Sequence, residues 1–347
     1  MFPYIFVLIP ILLCNLLPRL SDRKIAIFLS LLVIVLFCGT RIGTGNDYYS
    51  YMEIYESVDG AGDSETIEIL FSKLISIFKI LGLQFELFLL IFTFLIVASI
   101  KYGMYFYFRY SSLPIIIFIL NDMPILLMSV IRQGLAIGII LIGSNLLLER
   151  KFLKSAPFFV AATLFHSASI YIVAIVLISY IINKWRINRL FFISTIVCIS
   201  ILIAISNKFD FFRFISAKYD VYSSNYTEQN SAFIFGGYFL FKLIIFLYYF
   251  YKYYSINIGN KFNFQYYMLS ASILLNVFLY QYGEINLRTS YFFDASLVIV
   301  CTYILLNQDK IHKYIIGGIL FLYFSIHYFK MIYLMSDNFI PYVGYIF

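Results

Sequence analysis

Apolar runs of about twenty residues recur along the whole chain, and as helices such runs cross a bilayer core of roughly 30 Å. Lipid offers no hydrogen-bond partner to backbone N–H and C=O groups, so a spanning segment must be a helix or part of a closed barrel. The runs are continuous rather than alternating, as in Leu126 to Leu148 after Pro124, which selects helices. Composition points the same way: of 347 residues, 62% are hydrophobic and 12% charged, against about 25% charged in soluble domains. The expected fold class is therefore all-α, a polytopic integral membrane protein with residues 1–347 forming a single transmembrane domain.

The runs lie near 2–18, 25–40, 84–100, 112–121, 126–148, 155–166, 168–183, 190–206, 232–251, 264–281, 290–306 and 314–330, about twelve transmembrane helices. Two of them, 112–121 and 155–166, are too short to span alone and are read as half-helices or as extensions of their neighbours. The first run, Phe2 to Leu17, lacks a preceding basic region and a small-residue cleavage site, so it reads as a retained helix. Cys14, Cys38, Cys198 and Cys301 all fall inside apolar runs without metal-ligand spacing, and read as small apolar side chains.

Charge sets the topology. Alternate loops hold Arg19, Arg23 and Lys24; Lys101 and Arg109; Arg150, Lys151 and Lys154; Lys184, Arg186 and Arg189; Lys252 and Lys261; and Lys310 and Lys313, with only Asp22, Glu149 and Asp309 as acids. The positive-inside rule makes these loops cytoplasmic and sends both termini outward. The formal net charge of +7 is then mainly a topology signal, and nucleic acid is not an expected partner. The longest outward loops are 41–83 and 207–231. Within the first, Ile67, Leu70, Phe71, Leu74, Ile75 and Phe78 recur at helical spacing, with Glu65, Glu68, Ser72, Lys73 and Lys79 on the other side. This is either an amphipathic helix at the membrane–water boundary or a simple packing helix.

Charged groups near membrane depth are costly and mark function. Four groups stand at the outward ends of helices. In the first, Arg41 offers a donor fork suited to phosphate. Gly43 and Gly45 permit sharp turns, and Asp47 is a carboxylate able to orient or deprotonate a sugar hydroxyl. Tyr48, Tyr49 and Tyr51 supply apolar faces with polar tips. A solvated Arg–Asp pair is the plainer alternative. In the second, around Asn121 and Asp122, Arg132 and Gln133 open an apolar helix whose dipole favours an anion; a snorkelling arginine is the alternative.

In the third group, Phe165-His166-Ser167, His166 sits between two apolar runs and can donate to phosphate or carry a proton, or simply bond a neighbouring helix. No second histidine or cysteine has metal-ligand spacing with it, and neither metal nor cofactor is expected. In the fourth, Glu284 and Arg288 precede Tyr291 and Asp294, and the spacing puts Arg288, Tyr291 and Asp294 on one helix face, as substrate site or packing ion pair. Lys242 is a further charge in mid-span. Several arginines at one membrane face fit a bulky anion such as a diphosphate.

At these residues the chain resembles the EpsG-like family of Wzy-type polysaccharide polymerases. The resemblance rests on Arg41, Gly43, Asp47, Tyr48 and Tyr51 after an early span, then Ile131-Arg132-Gln133 with Ala136, a basic turn from Glu149 to Lys154, Phe165-His166-Ser167-Ala168, and Arg288 ahead of Tyr291-Phe292. It covers roughly residues 20–300. It implies a GT-C-like glycosyltransferase fold in the bacterial inner membrane, with the site facing the periplasm. The implied reaction polymerises O-antigen or exopolysaccharide repeat units carried on undecaprenyl diphosphate, the growing chain passing to a new lipid-linked unit. Carried over, Arg41, Arg132 and Arg288 would bind diphosphates and Asp47, or second His166, would act as base. Gln133, Tyr48, Tyr51 and Tyr291 would position substrate. A protein partner regulating chain length is implied by the resemblance alone. The competing readings are an O-antigen ligase, a flippase or transporter for the same lipid, and a membrane acyltransferase.

Overall fold

The computed structural model describes residues 3–5, 8–9, 20–58, 67–109, 111–121, 127–185, 236–253, 259–279, 283–334 and 339–344. They form helices α1 (Leu20–Gly39), α2 (Tyr48–Ser57), α3 (Ile69–Ile80), α4 (Phe85–Tyr105), α5 (Leu113–Leu120), α6 (Ile131–Leu148), α7 (Phe152–Phe165), α8 (Ser169–Lys184), α9 (Gly237–Tyr253), α10 (Asn260–Phe278), α11 (Gly283–Leu306) and α12 (Lys310–Leu334). An isolated antiparallel bridge joins Arg41 to Gly344.

Among the described residues, four helices are long and apolar enough to cross a membrane: Phe85–Tyr105, Ile131–Leu148, Ile285–Leu306 and Lys310–Tyr333. Ile27–Gly39, Phe152–Phe165 and Ser169–Lys184 are shorter apolar helices. The two short runs of the sequence are helices of 8 and 14 residues, α5 and α7. Most of the run at 2–18, the run at 190–206 and the loop 207–231 lie outside the described residues. Along α12, Ile311, Ile315, Ile319, Leu322 and Ile326 are all exposed. Such a stripe is unfavourable in water and at home in hydrocarbon, as expected of a membrane-embedded helical protein.

The chain divides into two compact units, Met1–Val173 with Tyr314–Phe347, and Ala174–Lys313. In the first, α6 lies between α4 and α7, α4 also packs on α1, and α3 packs on α7. The α4–α6 contact requires a small residue: a Cβ added at Gly138 would stand 2.0 Å from Ser99 Oγ. Close approach through small residues is how helices associate where lipid removes the hydrophobic drive. Phe71, Phe88 and Phe92 form the aromatic core behind α3, with ring centroids 5.4–5.8 Å apart. A second aromatic cluster joins Tyr4 and Phe37 to Phe339 and Tyr342. Tyr4 OH donates to the Phe339 carbonyl at 2.9 Å, and Tyr342 stacks on Phe37 at 4.3 Å.

One face of α3 packs on α7. Phe71, Ser72, Ile75, Ser76 and Phe78 are buried, whereas Ile69, Ile77 and Ile80 are exposed. Ser72, expected on the outer side, turns inward, because its hydroxyl is satisfied by the Ile69 carbonyl at 3.0 Å.

In the second unit α9, α10 and α11 pack on one another. Tyr266 of α10 stacks against Phe246 and Tyr249 of α9 at 4.8 and 5.5 Å. Asn183 Nδ2 at the end of α8 donates to the Asn260 carbonyl at 3.0 Å.

Candidate functional site

The site in the first unit is built on the loop between α1 and α2. Arg41 is 1% exposed, and its guanidinium is committed to backbone. Nε donates to the Thr44 carbonyl at 2.9 Å, Nη2 to the Met128 carbonyl at 3.1 Å, and Nη1 to the Cys38 carbonyl. Burial pushes its pKa down to about 10, so it stays charged at neutral pH. The sequence suggested a phosphate ligand; the structure places Arg41 as a clamp between this loop and the segment entering α6. Asn46 N–H adds a bond to Ser129 Oγ at 3.1 Å. Gly45 makes the approach possible: its φ is +106°, and a Cβ there would sit 2.1 Å from the Met128 carbonyl oxygen.

The clamp fixes the start of α6, where Val130 is the N-cap and Arg132 the second residue. Arg132 is a quarter exposed and pairs with Glu68. Its guanidinium lies 5.7 Å from the Tyr51 ring centroid and 5.5 Å from that of Phe71, cation–π distances that leave it partly desolvated. The other oxygen of the same carboxylate, Glu68 Oε1, is 3.7 Å from His166 Nδ1. Burial works against the charge on Glu68, but the His166 imidazole and the Arg132 guanidinium more than offset it and hold the carboxyl at about 2. His166 is positioned by the break between α7 and α8: it caps α7 with extended backbone, and its carbonyl accepts from Ser169 N–H at 2.9 Å.

Asp47 is the N-cap residue of α2 and makes no side-chain cap bond. It is half-buried and near enough to Tyr51 to oppose ionisation of that phenol. Tyr48 and Tyr51 are both 4% exposed; Tyr48 packs edge-on against Phe85 at 5.5 Å. Gln133 is buried in α6. The first unit thus brings Asp47, Tyr51, Glu68, Arg132 and His166 into one chain of contacts, with Arg41 behind them. Glu68 is the member that the sequence does not mark as a site residue: by spacing it falls on the polar side of the helix within loop 41–83.

In the second unit Arg288 is half-buried on α11, and Tyr291 and Asp294 are buried further along that helix. Asp294 Oδ1 lies 3.0 Å from Lys242 Nζ and accepts from Tyr238 OH at 2.6 Å. Lys242 also donates to Ser290 Oγ at 3.2 Å, and Ser290 donates to Asn276 Oδ1 at 3.0 Å. The mid-span lysine therefore has a buried network of partners rather than a solitary charge.

These features define a polytopic helical membrane protein with an arginine–carboxylate–histidine cluster at the head of a buried helix. The EpsG family model matches residues 24–343, a range that holds every residue of the cluster, and the chain belongs to the EpsG family. Membership suggests a polysaccharide polymerase-like function. No curated protein and no solved structure gives a significant match.

Proposed function

We propose that the protein is a glycosyltransferase that polymerises lipid-linked glycan, taking undecaprenyl-diphosphate-linked oligosaccharide as both donor and acceptor at the periplasmic face of the bacterial inner membrane. O-antigen or a related exopolysaccharide is the product, and a GT-C-like arrangement working without metal belongs to the same reading. The observation that supports it beyond family membership is Arg132, held between two rings and an anion at the entrance of α6.

An acceptor hydroxyl attacks the anomeric carbon of the donor and forms the new glycosidic bond. The bond from that carbon to the diphosphate oxygen breaks, and its electron pair leaves with undecaprenyl diphosphate. Arg132 and Arg288 bind the diphosphates and stabilise the developing charge. The hydroxyl proton passes to Asp47 or His166. Tyr48, Tyr51, Gln133 and Tyr291 shape the sugar and phosphate subsites, and Arg41 holds the loop that carries Asp47. A protein that sets chain length is a partner of this activity.

Complementation of a polymerase-null strain tests the reading, scored as a lipopolysaccharide ladder at matched membrane expression. Wild type restores the ladder, and Arg132→Ala and Arg288→Ala leave single units. A wild-type chain that restores no ladder in a strain with the matching sugar unit, or full-length polymer from both arginine variants, contradicts it.

A further inference from the structure

One carboxylate stands between the arginine and the histidine of the site. Glu68 directs Oε2 to Arg132 and Oε1 toward His166 Nδ1. It occupies the N-cap position of α3 but makes no side-chain cap bond, although an N-cap carboxylate ordinarily accepts from the first turn of its own helix. The side chain instead reaches the head of α6. Carboxylate and phosphate present the same pair of oxygens to a guanidinium fork. The carboxylate is ionised at any physiological pH, so it fills the place of an anion on Arg132 whenever substrate is absent. At 3.7 Å the His166 contact is longer than a charge-assisted hydrogen bond of about 2.8 Å, so a shift of roughly one ångström separates the two arrangements.

We infer that Glu68 is a placeholder anion: a phosphate of the lipid diphosphate displaces it from Arg132, and the released carboxylate closes onto His166 Nδ1 and orients the imidazole as the base. The inference rests on the polymerase reading for the identity of the substrate. It makes His166, rather than Asp47, the acceptor of the hydroxyl proton. Nδ1 faces Glu68, so the proton arrives at Nε2, and the resulting imidazolium is stabilised by the carboxylate while the diphosphate leaves with the electron pair beside Arg132. Glu68 is thus a positioning residue that touches no sugar. The exchange links the two halves of the reaction, because the carboxylate closes on the histidine once a phosphate has taken Arg132. It also keeps a partly buried arginine paired between turnovers.

The test uses the purified full chain in nanodiscs, with undecaprenyl diphosphate as binding probe and lipid-linked repeat units as turnover substrate. Glu68→Gln keeps the shape and removes the competing charge. It is expected to bind undecaprenyl diphosphate on the order of tenfold more tightly than wild type, and to polymerise on the order of a hundredfold more slowly. A merely structural role weakens binding and turnover together, and that result overturns the inference, as does an unchanged turnover rate.

A second measurement needs no variant. The chain has 3 histidines, so a histidine-labelled wild type gives a nitrogen resonance spectrum simple enough to follow. One Nδ1 signal is expected to move to the strongly hydrogen-bonded range when undecaprenyl diphosphate is added, and no movement of any overturns the exchange. Wild type that binds the lipid and loses it on Arg132→Ala, with Glu68→Gln binding no more tightly, rejects the placeholder and leaves the polymerase reading standing. Wild type that neither binds the lipid nor extends repeat units rejects that reading itself.

Discussion

Lys242 Nζ and Asp294 Oδ1 lie 3.0 Å apart, and neither side chain has any exposed surface. The pair joins α9 to α11 inside the second unit, with Tyr238, Ser272 and Ser290 supplying hydrogen bonds around it. Removing one partner leaves a buried charge without compensation, which costs about 3–5 kcal/mol, whereas replacing both by apolar groups is close to neutral. Lys242→Met and Asp294→Leu are therefore each expected to lower the thermal midpoint in detergent sharply, and the double variant to recover most of the loss. Additive losses in the double variant contradict the pairing.

Gly45 is expected to reject any side chain. Its positive φ costs another residue roughly 1–3 kcal/mol, and a Cβ would overlap the Met128 carbonyl at 2.1 Å. Gly45→Ala should lower thermal stability and also reduce polymer formation, since the same loop is bonded to Met128 and Ser129, which lead into Arg132. Gly82 also has positive φ but nothing near its Cβ position, so Gly82→Ala serves as the milder control.

Arg41 and Arg132 are expected to respond differently to lysine. The Arg41 fork serves three carbonyls that diverge around it, and a single ammonium cannot reach them all. Arg41→Lys should cost about 1–3 kcal/mol for each buried carbonyl left unbonded, read as a lower unfolding temperature. A variant of wild-type stability with a raised KM for the lipid-linked unit assigns Arg41 to substrate instead.

How much of this was legible in the sequence depended on whether the signal was local. Helical character followed from unbroken apolar runs, and the place of Arg132 at the head of α6 followed from the apolar stretch after it. The role of Arg41 was not local: a guanidinium in a Gly-rich loop offers the same fork to phosphate or to carbonyls, and the approach of Met128, 87 residues away, decides between them. Glu68 was hidden for a similar reason. Beside Ser72, Lys73 and Lys79 it read as one more polar group on a surface helix, and its partner Arg132 is 64 residues distant. Lys242 was conspicuous as a charge in mid-span, and Asp294 as part of a face with Arg288. Only the packing of α9 on α11 pairs the two.

Stability should depend on pH through Glu68. Its folded pKa, about 2, lies below the ordinary value of 4.5, so the folded state binds this proton less readily than the unfolded one. The stabilisation is fully present above pH 4.5 and is lost as pH falls toward 2. The difference in thermal midpoint between wild type and Glu68→Gln is expected to shrink in that acid range. A difference that does not shrink as pH falls from 4.5 toward 2 contradicts the assignment.

Arg132 is proposed to bind the diphosphate of a lipid-linked glycan. The most direct measurement is chain elongation by the purified protein on undecaprenyl-diphosphate-linked repeat units, comparing wild type with Arg132→Ala and Arg132→Lys. Wild type is expected to release undecaprenyl diphosphate and form polymer. Arg132→Ala should lose at least about a hundredfold in rate, and Arg132→Lys should recover only part of it, because a point charge replaces a fork. Polymer formed by Arg132→Ala at the wild-type rate, from a chain folded as wild type is, contradicts the account.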